Sequence, residues 1–139
     1  MDLTDDERAR LTAEELRVAA ELAAGRSVAV NVRRGGPHRR LVPLLVERGL
    51  LTYVGHAGSR HSWPRSDFAN PFRRYPDNRR EEMVERYAQW LEERPDLLER
   101  IAAGELSGRA LGCWCVPALP CHAEVVARLA NEAGRVRDR

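Results

Sequence analysis

The sequence predicts an α/β fold: a small parallel or mixed sheet of three to five strands with flanking helices, arranged in a Rossmann-like manner. Three short runs rich in β-branched and apolar residues, near 27–32, 50–54 and 109–115, have the composition of buried strands. Helical patterns separate these runs, and strands joined through helices favour parallel pairing. A length of 139 residues is typical of one domain, so we expect 1–139 to fold as a single unit.

The N-terminal part, 1–49, is expected to form an extension with a helix, a strand, a basic loop and a second helix. Thr12 begins a capping box, which predicts the start of an amphipathic helix, and Gly25 is placed to end that helix. The first strand leads into an arginine-rich loop over 33–40. A short helix is expected over 41–47, with a proline in its first turn.

The remaining chain alternates strands with longer helices. An irregular segment over 55–76 follows the second strand, and a loop of this length in a compact domain is usually functional or mobile. One helix is expected to start near Asp77, another covers 95–102, and the last covers 121–132 and ends at Gly134. This order places the third strand directly before the last helix.

All 23 basic residues are arginine, and the sequence contains no lysine. Schiff-base catalysis and general-base catalysis by lysine are therefore excluded, because no ε-amine exists to perform them. The net charge of +2 conceals an uneven distribution: 26–80 contains twelve arginines and three acidic residues, whereas both flanking segments are net acidic. This pattern predicts an anionic small-molecule ligand or another anionic partner, and a solvated arginine surface is the alternative.

Composition and patterning indicate a globular protein of the cytoplasm. Hydrophobic residues make up 43% and charged residues 32% of the chain, which is ordinary globular usage. No apolar run approaches the roughly 20 residues of a membrane-spanning helix, so we expect no membrane partner. The acidic, polar start over 1–7 is unlike a signal peptide. We therefore expect reduced thiols, and cysteines that act as ligands or reactive groups.

The most informative pattern is a cysteine–histidine turn, with Cys113 and Cys115 on the third strand and Cys121 and His122 at the start of the last helix. Alternate residues of a strand share a face, so the first two thiols point the same way. Three interpretations are open. The four residues bind zinc; or Cys121 or Cys115 is a reactive thiol, with His122 as acid or base and Glu124 close by; or the thiols are buried core residues.

The start of the last helix at Cys121 carries a partial positive charge. This field stabilises a thiolate, so we expect a lowered pKa for Cys121 and the fastest alkylation of the three thiols. The same field disfavours the protonated form of His122 and leaves its imidazole as an acceptor or ligand. The predicted catalytic residues are therefore Cys121, His122 and Glu124. The predicted zinc ligands are Cys113, Cys115, Cys121 and His122.

Three motifs in order resemble the domain-of-unknown-function 4326 family, which occurs in bacteria and their phages. The pattern Leu-Gly-Cys-Trp-Cys-x-Pro…Cys-His-x-Glu-Val at 111–125 is similar to the family's C-terminal signature. The run Tyr-Val-Gly-His at 53–56 resembles a family strand that ends in Gly-Arg, so His56 stands where arginine is usual. Asn-Pro-Phe at 70–72 resembles a family turn, and the similarity covers about 50–131. The resemblance implies no established activity.

The segment after the second strand carries the predicted ligand-binding residues. Ligands of α/β sheets bind beyond the carboxyl ends of strands, where this segment begins. Its backbone N–H groups, imidazoles and guanidinium groups suit a phosphate or a carboxylate. The predicted ligand-binding residues are Gly55, His56, Arg60, Asn70 and Arg80. Asparagine before proline is also typical of a turn, which is the alternative role of Asn70.

Two functions are open. The first is a pocket, built from the loops at Gly55, Asn70 and Cys121, that binds or processes a nucleotide-like or other phosphate-bearing small molecule, as a nucleotide- or nucleoside-processing enzyme would. The alternative is a zinc-stabilised nucleic-acid-binding accessory module without catalysis, with the arginines of 33–40 on phosphates. Binding through several phosphates weakens steeply as salt increases, which separates the two.

Overall fold

The structure is a computed structural model that describes residues 1–55, 63–72 and 75–137. Within these ranges, three strands form one parallel sheet: β1 (Val28–Asn31), β2 (Leu51–Tyr53) and β3 (Ala110–Cys113). The strand order is β1-β3-β2, so the last strand lies between the other two. Ala110 is level with Val28 on one side and with Leu51 on the other, so the three strands end at the same edge.

Two capped helices precede the sheet. Helix α1 (Asp5–Arg10) begins at a capping box formed by Thr4, and α2 (Ala13–Ala23) begins at the predicted capping box of Thr12. Gly25 follows α2 with a φ of 84°, the left-handed conformation that commonly ends a helix. After β1, helix α3 (Val42–Glu47) has proline in its first turn, as its sequence indicates.

The connection from β2 to β3 contains two helices. A 3₁₀ turn (Asp77–Arg79) leads into α4 (Arg80–Glu92), and α5 (Pro95–Ala102) follows. Helix α6 (His122–Arg137) comes after β3 and packs against α4, α5 and the sheet. The start of α6 therefore lies next to the carboxyl end of the central strand.

The helices cover both faces of the sheet and produce two apolar cores. Helices α2 and α3 pack on one face, where Val18 and Leu45 are fully buried. Helices α4, α5 and α6 pack on the other face with a larger cluster that includes Leu111 and Cys113. Each fully buried aliphatic side chain contributes about 1.5–3 kcal/mol. This helix–sheet–helix arrangement holds the carboxyl edge of the sheet in place.

The predicted α/β fold is confirmed, and the sheet is parallel throughout with strands at the predicted positions. The predicted end of the last helix at Gly134 is wrong, because α6 continues to Arg137. The Arg137 guanidinium donates to the carbonyl of Ala102 at 2.9 Å and to the hydroxyl of Ser107 at 2.5 Å. These contacts dock the final turn and outweigh the low helix propensity of glycine.

No helix of the described residues has the length and apolar character needed to span a membrane.

Candidate functional site

The candidate site lies at the edge where the three parallel strands end. The ends are Asn31 of β1, Tyr53 of β2 and Cys113 of β3. The turn 114–121 leaves the central strand and enters α6 directly, so it crosses the middle of this edge. In open α/β sheets, ligands bind outside the carboxyl ends of the strands.

Asn31, the last residue of β1, holds this turn in place by hydrogen bonds. Its side-chain amide donates to the carbonyl of Val116 at 2.9 Å and to that of Trp114 at 3.4 Å. Its side-chain oxygen accepts the backbone N–H of Arg33 at 2.9 Å. One buried asparagine therefore sets the position of the turn and the start of the basic loop.

The three cysteines are free thiols that differ in exposure. Cys113 and Cys121 are buried, and Cys115 is half-buried. The thiol of Cys121 donates hydrogen bonds to Cys115 and Cys113, and the Arg80 guanidinium contacts the Cys115 sulfur through Nη2. The hydrogen bond from Cys121 and the positive charge of Arg80 outweigh burial and lower the pKa of Cys115 to about 6. This lowered pKa favours the thiolate form of Cys115 at neutral pH.

The prediction that Cys121 has the lowered pKa is wrong. Its proton is held in hydrogen bonds to Cys113 and Cys115, and burial also disfavours its thiolate, so its pKa is raised. The pKa of Cys113 is lowered, first because Cys121 donates to it. For the pKa of Cys121, burial and donation to the neighbouring sulfurs outweigh the field of the helix terminus. The sequence-based prediction treats that field as the main influence on this pKa.

His122 is buried at the first position of α6. Its Nε2 lies 2.5 Å from the carbonyl oxygen of Val54, which can only accept, so Nε2 carries the proton. In the neutral ring, Nδ1 is then an acceptor, and it faces the Cys121 sulfur at 3.7 Å. The structure thus brings the predicted His122–Cys121 pair together.

Glu124 is exposed and contacts the backbone at the start of its own helix. Its Oε1 accepts the N–H of Cys121 at 3.1 Å, and its own N–H donates to the carbonyl of Cys121 at 3.1 Å. A glutamate that reaches back in this way caps a helix. Among the described residues, Glu124 makes no hydrogen bond to a sulfur or an imidazole, so its catalytic role stays a prediction.

Across 1–55, 63–72 and 75–137, no group of three or more His, Cys, Asp or Glu side chains is arranged to hold a metal ion. The predicted zinc ligands are Cys113, Cys115, Cys121 and His122. The guanidinium of Arg80 touches Cys115, and a cation at that sulfur competes with a metal ion for it. Zinc binding stays a prediction.

Arg80, the first residue of α4, is the predicted ligand-binding residue with the clearest support. Its Nη2 donates to the carbonyl of Pro120 at 3.4 Å as well as to Cys115. Its Nε–H is shielded from solvent and has no acceptor among the described residues. A shielded donor of this kind requires an explanation, because most such groups in proteins are paired.

Gly55 and Asn70 have structural roles that account for their residue types. A Cβ at Gly55 would lie 2.5 Å from the hydroxyl oxygen of Tyr53, so any other residue would clash there. The side-chain oxygen of Asn70 accepts the N–H of Phe72 at 2.9 Å, and its amide faces the sulfur of Met83 at 2.9 Å. Asn70 therefore builds the turn that its sequence context also allowed. His56 and Arg60 lie outside the described residues.

The three segments of the predicted pocket approach one another. Val54, next to Gly55, bonds to His122, next to Cys121. The His122 ring packs on Tyr87 with centroids 4.8 Å apart, and the Tyr87 hydroxyl donates to the carbonyl of Phe68 at 2.7 Å. The segments before Gly55, before Asn70 and after Cys121 thus meet through side-chain contacts, while the pocket itself stays a prediction.

Sequence reasoning missed a row of stacked groups along this edge, which we call the aromatic row: Arg33, Trp114, Tyr53 and Trp63. The Arg33 guanidinium lies 5.6 Å from the centroid of the Trp114 ring. The Trp114 side chain hydrogen-bonds to the Tyr53 hydroxyl, and the Tyr53 ring stacks on Trp63 with centroids 5.9 Å apart. The sequence could have indicated this row, because Tyr53 and Trp114 fall at the ends of two predicted strands that lie side by side in the sheet.

These features define a class: a small three-layer α/β domain with a cysteine-rich turn at the carboxyl edge of a parallel sheet. The sequence profile of the family described as Domain of unknown function (DUF4326) matches residues 21–132, and the chain belongs to this family. The match begins well before residue 50, where the motifs placed its start. It includes β1, which pairs with β3. Neither a curated protein nor a solved structure matches the chain significantly.

Proposed function

We propose that the carboxyl edge of the sheet binds a phosphate-bearing, nucleotide-like small molecule, with a phosphate at Arg80 and a planar base against the aromatic row. The observation that carries this proposal is the shielded Nε–H of Arg80, for which the described residues provide no acceptor. A buried donor without an acceptor costs about 1–3 kcal/mol. A phosphate oxygen would remove that cost and would gain a charge-assisted hydrogen bond.

The aromatic row supports the second half of the proposal. Trp114 and Trp63 are both partly exposed, and Tyr53 lies between them. Stacking of a base on an aromatic side chain contributes about 1–3 kcal/mol. The exposed guanidinium of Arg33 adds a second positive charge at one end of the row. A ligand with one flat ring and one phosphate suits this combination of groups.

Titration of the purified chain with adenosine monophosphate, adenosine and inorganic phosphate tests the proposal. Binding is followed by calorimetry and by tryptophan fluorescence. We expect the monophosphate to bind more tightly than either fragment, because only it uses both Arg80 and the aromatic row. Arg80→Gln should weaken the monophosphate roughly tenfold or more, since a hydrogen bond to a charged group is lost, and should leave adenosine unchanged.

Arg79→Gln is the matched control, because this neighbouring arginine is exposed and paired with Glu82 at 2.7 Å. It should bind the monophosphate as the unaltered chain does. Equal binding by the Arg79 and Arg80 variants, or no binding of any of the three probes at millimolar concentration, would overturn the proposal.

A second candidate function, binding of nucleic acid, is favoured by the basic loop. Arg33, Arg34, Arg39 and Arg40 are exposed, and no ion pair between described residues involves them. Several arginines elsewhere are paired with acidic side chains, for example Arg17 with Glu14 and Arg94 with Asp96. A row of unpaired guanidinium groups suits a phosphate backbone.

Fluorescence anisotropy with a labelled duplex and a labelled single strand separates this candidate from the first. Binding through these four arginines should weaken steeply between about 50 and 200 mM salt. The double variant Arg39→Ala, Arg40→Ala should reduce the slope with salt, whereas Arg128→Ala, an exposed arginine on α6, should not. A flat salt dependence would exclude nucleic acid as the partner.

The proposal extends to a cytoplasmic location. All three cysteines are free, and thiols persist in this form in reducing compartments.

A further inference from the structure

The thiol cluster has a chemistry that the ligand proposal does not use. Cys115 is half-buried, while Cys113 and Cys121 are buried beside it. We propose that Cys115 is an oxidation site of this chain and that Cys121 is its partner, so that a peroxide converts the pair into an intramolecular disulfide. This inference does not depend on the ligand at Arg80.

The surroundings of Cys115 favour it as the sulfur that reacts first. It is the partly accessible thiol of the three, so a small peroxide reaches it before the others. Arg80 touches its sulfur and stabilises negative charge there. The shielded Nε–H of the same guanidinium is a donor with no described acceptor, and it would stabilise the hydroxide that leaves the peroxide.

The surroundings of Cys121 favour it over Cys113 as the partner. Arg80 Nη2 contacts the Cys115 sulfur and also donates to the carbonyl of Pro120, the residue before Cys121, so the two cysteines lie on either side of one guanidinium group. The Cys121 thiol also donates to Cys115. Cys121 lies between the turn and the first residue of α6, outside the strand pairing that holds Cys113. Cys113 is the last residue of the central strand, where it pairs with Asn31 of β1, and its carbonyl accepts the N–H of Val32 at 2.8 Å. His122 Nδ1, at 3.7 Å from the Cys121 sulfur, is placed to accept its proton.

The reaction balances in two steps. The Cys115 thiol first gives its proton to solvent. Its thiolate attacks one oxygen of hydrogen peroxide, the O–O bond breaks, the sulfur is oxidised to a sulfenic acid, and the hydroxide that leaves takes up a proton from solvent to form water. The Cys121 sulfur, after losing its proton to His122, then attacks the Cys115 sulfur. The S–S bond forms, the S–O bond breaks, and the hydroxide takes up a proton and leaves as water. Two thiols and one peroxide thus yield one disulfide and two waters.

The sequence allows the disulfide to be assigned without any variant. Chymotrypsin cleaves after Trp114, which separates Cys113 from Cys115, whereas the Leu119–Pro120 bond resists it and keeps Cys115 and Cys121 on one peptide. The chain is treated with stoichiometric hydrogen peroxide, alkylated and digested without reduction. We expect the peptide that starts at Cys115 to be unalkylated and lighter by two hydrogen atoms, and the Cys113 peptide to be alkylated.

Three variants provide a second readout with dimedone, which labels sulfenic acids. Cys121→Ala should leave Cys115 as a trapped sulfenic acid that takes the label. Cys113→Ala should still form the disulfide, and Cys115→Ala should form neither product. Circular dichroism is recorded for each, and where a variant does not fold the peptide map of the unaltered chain decides.

Three outcomes would overturn the proposal. A disulfide that joins the Cys113 peptide to the next one would make Cys113 the partner. Dimedone on Cys121 or Cys113 instead of Cys115 would make another sulfur the first to react. Thiols that resist peroxide until a chelator is added, together with stoichiometric zinc by elemental analysis, would mean that a metal ion holds the cluster.

Discussion

Glu15, on α2, and Arg80, at the start of α4, are charged side chains that each place a polar group away from solvent, but the hydrogen bonding of these groups differs. The carboxylate of Glu15 is 1% exposed and accepts three backbone N–H groups, those of Thr12 at 3.0 Å and of Arg40 and Leu41 at 2.8 Å. The Nε–H of Arg80 has no acceptor among the described residues.

The difference separates a structural charge from a functional candidate. Burial raises the pKa of Glu15, but its hydrogen bonds from the backbone outweigh burial and the net pKa is lowered, so the carboxylate is stable where it lies. Arg80 instead offers a donor that the described part of the fold leaves unused, on a guanidinium that contacts the Cys115 sulfur. Complete internal pairing thus indicates a role in folding, and the unused donor is the feature on which the proposed ligand site depends.

The largest expected effect is on the structural side of this comparison. Glu15→Ala leaves three backbone N–H groups without their acceptor. Two of them belong to Arg40 and Leu41, the residues directly before α3. We expect the free energy of unfolding to fall by about 3 kcal/mol, the cost of leaving buried donors unsatisfied. Urea unfolding measures this, with Glu92→Ala, an exposed residue of α4, as the control. A loss no larger than that of the control would mean that water replaces the carboxylate.

The next effect in size concerns the tie between β1 and the cysteine turn. Asn31→Ala removes the donor to Val116 and Trp114, and also the acceptor of the Arg33 N–H. We expect a loss of about 2 kcal/mol in the free energy of unfolding. Alkylation of Cys115 should also become faster, because the turn loses its anchor. Unchanged alkylation together with reduced stability would show that the turn keeps its position without Asn31.

Much of the fold follows from the sequence, because its signals are local. The capping box at Thr12, the left-handed Gly25 and the three apolar strand runs each depend on neighbouring residues alone. The end of α6 does not follow from local residues. Gly134 predicts that the helix ends there, but the hydrogen bond from Arg137 to the carbonyl of Ala102, which is distant in sequence, stabilises one further turn.

The candidate site was predictable in location but less so in chemistry. Parallel strands end at one edge, so the segments after Val54 and Cys113 had to lie close together. The order of thiol pKa values depends on which sulfur contacts Arg80 and which donates its proton, and spacing contains no such information. Glu124, expected among the catalytic groups, accepts the Cys121 N–H and caps α6, a role that its position three residues after Cys121 equally allowed; its catalytic role stays a prediction.

A smaller effect is expected on the functional side of the comparison. Arg80→Gln removes the positive charge beside Cys115 but keeps the hydrogen bond from Cys121, so the pKa of Cys115 should rise from about 6 by roughly one unit or more. The pH dependence of alkylation by iodoacetamide measures this shift. Arg79→Gln is the control, since its guanidinium pairs with Glu82. An identical pH profile for both variants would place the source of the lowered pKa in the sulfur cluster alone.

The smallest effect concerns Glu14, which belongs to the structural side but lies near the surface. The Arg17 guanidinium, followed by the hydrogen bond to His38, lowers the pKa of Glu14 from 4.5 to about 2. A lowered pKa in the folded state stabilises the fold above about pH 4.5, and this contribution is lost as the pH falls towards 2. Because the Arg17 side chain is 54% exposed, we expect less than about 1 kcal/mol. Glu14→Gln should therefore lose stability less steeply than the unaltered chain over this pH range in urea unfolding, while Glu92→Gln should follow the unaltered chain. Parallel curves for all three proteins would mean that the Glu14–Arg17 pair contributes nothing to stability over this pH range.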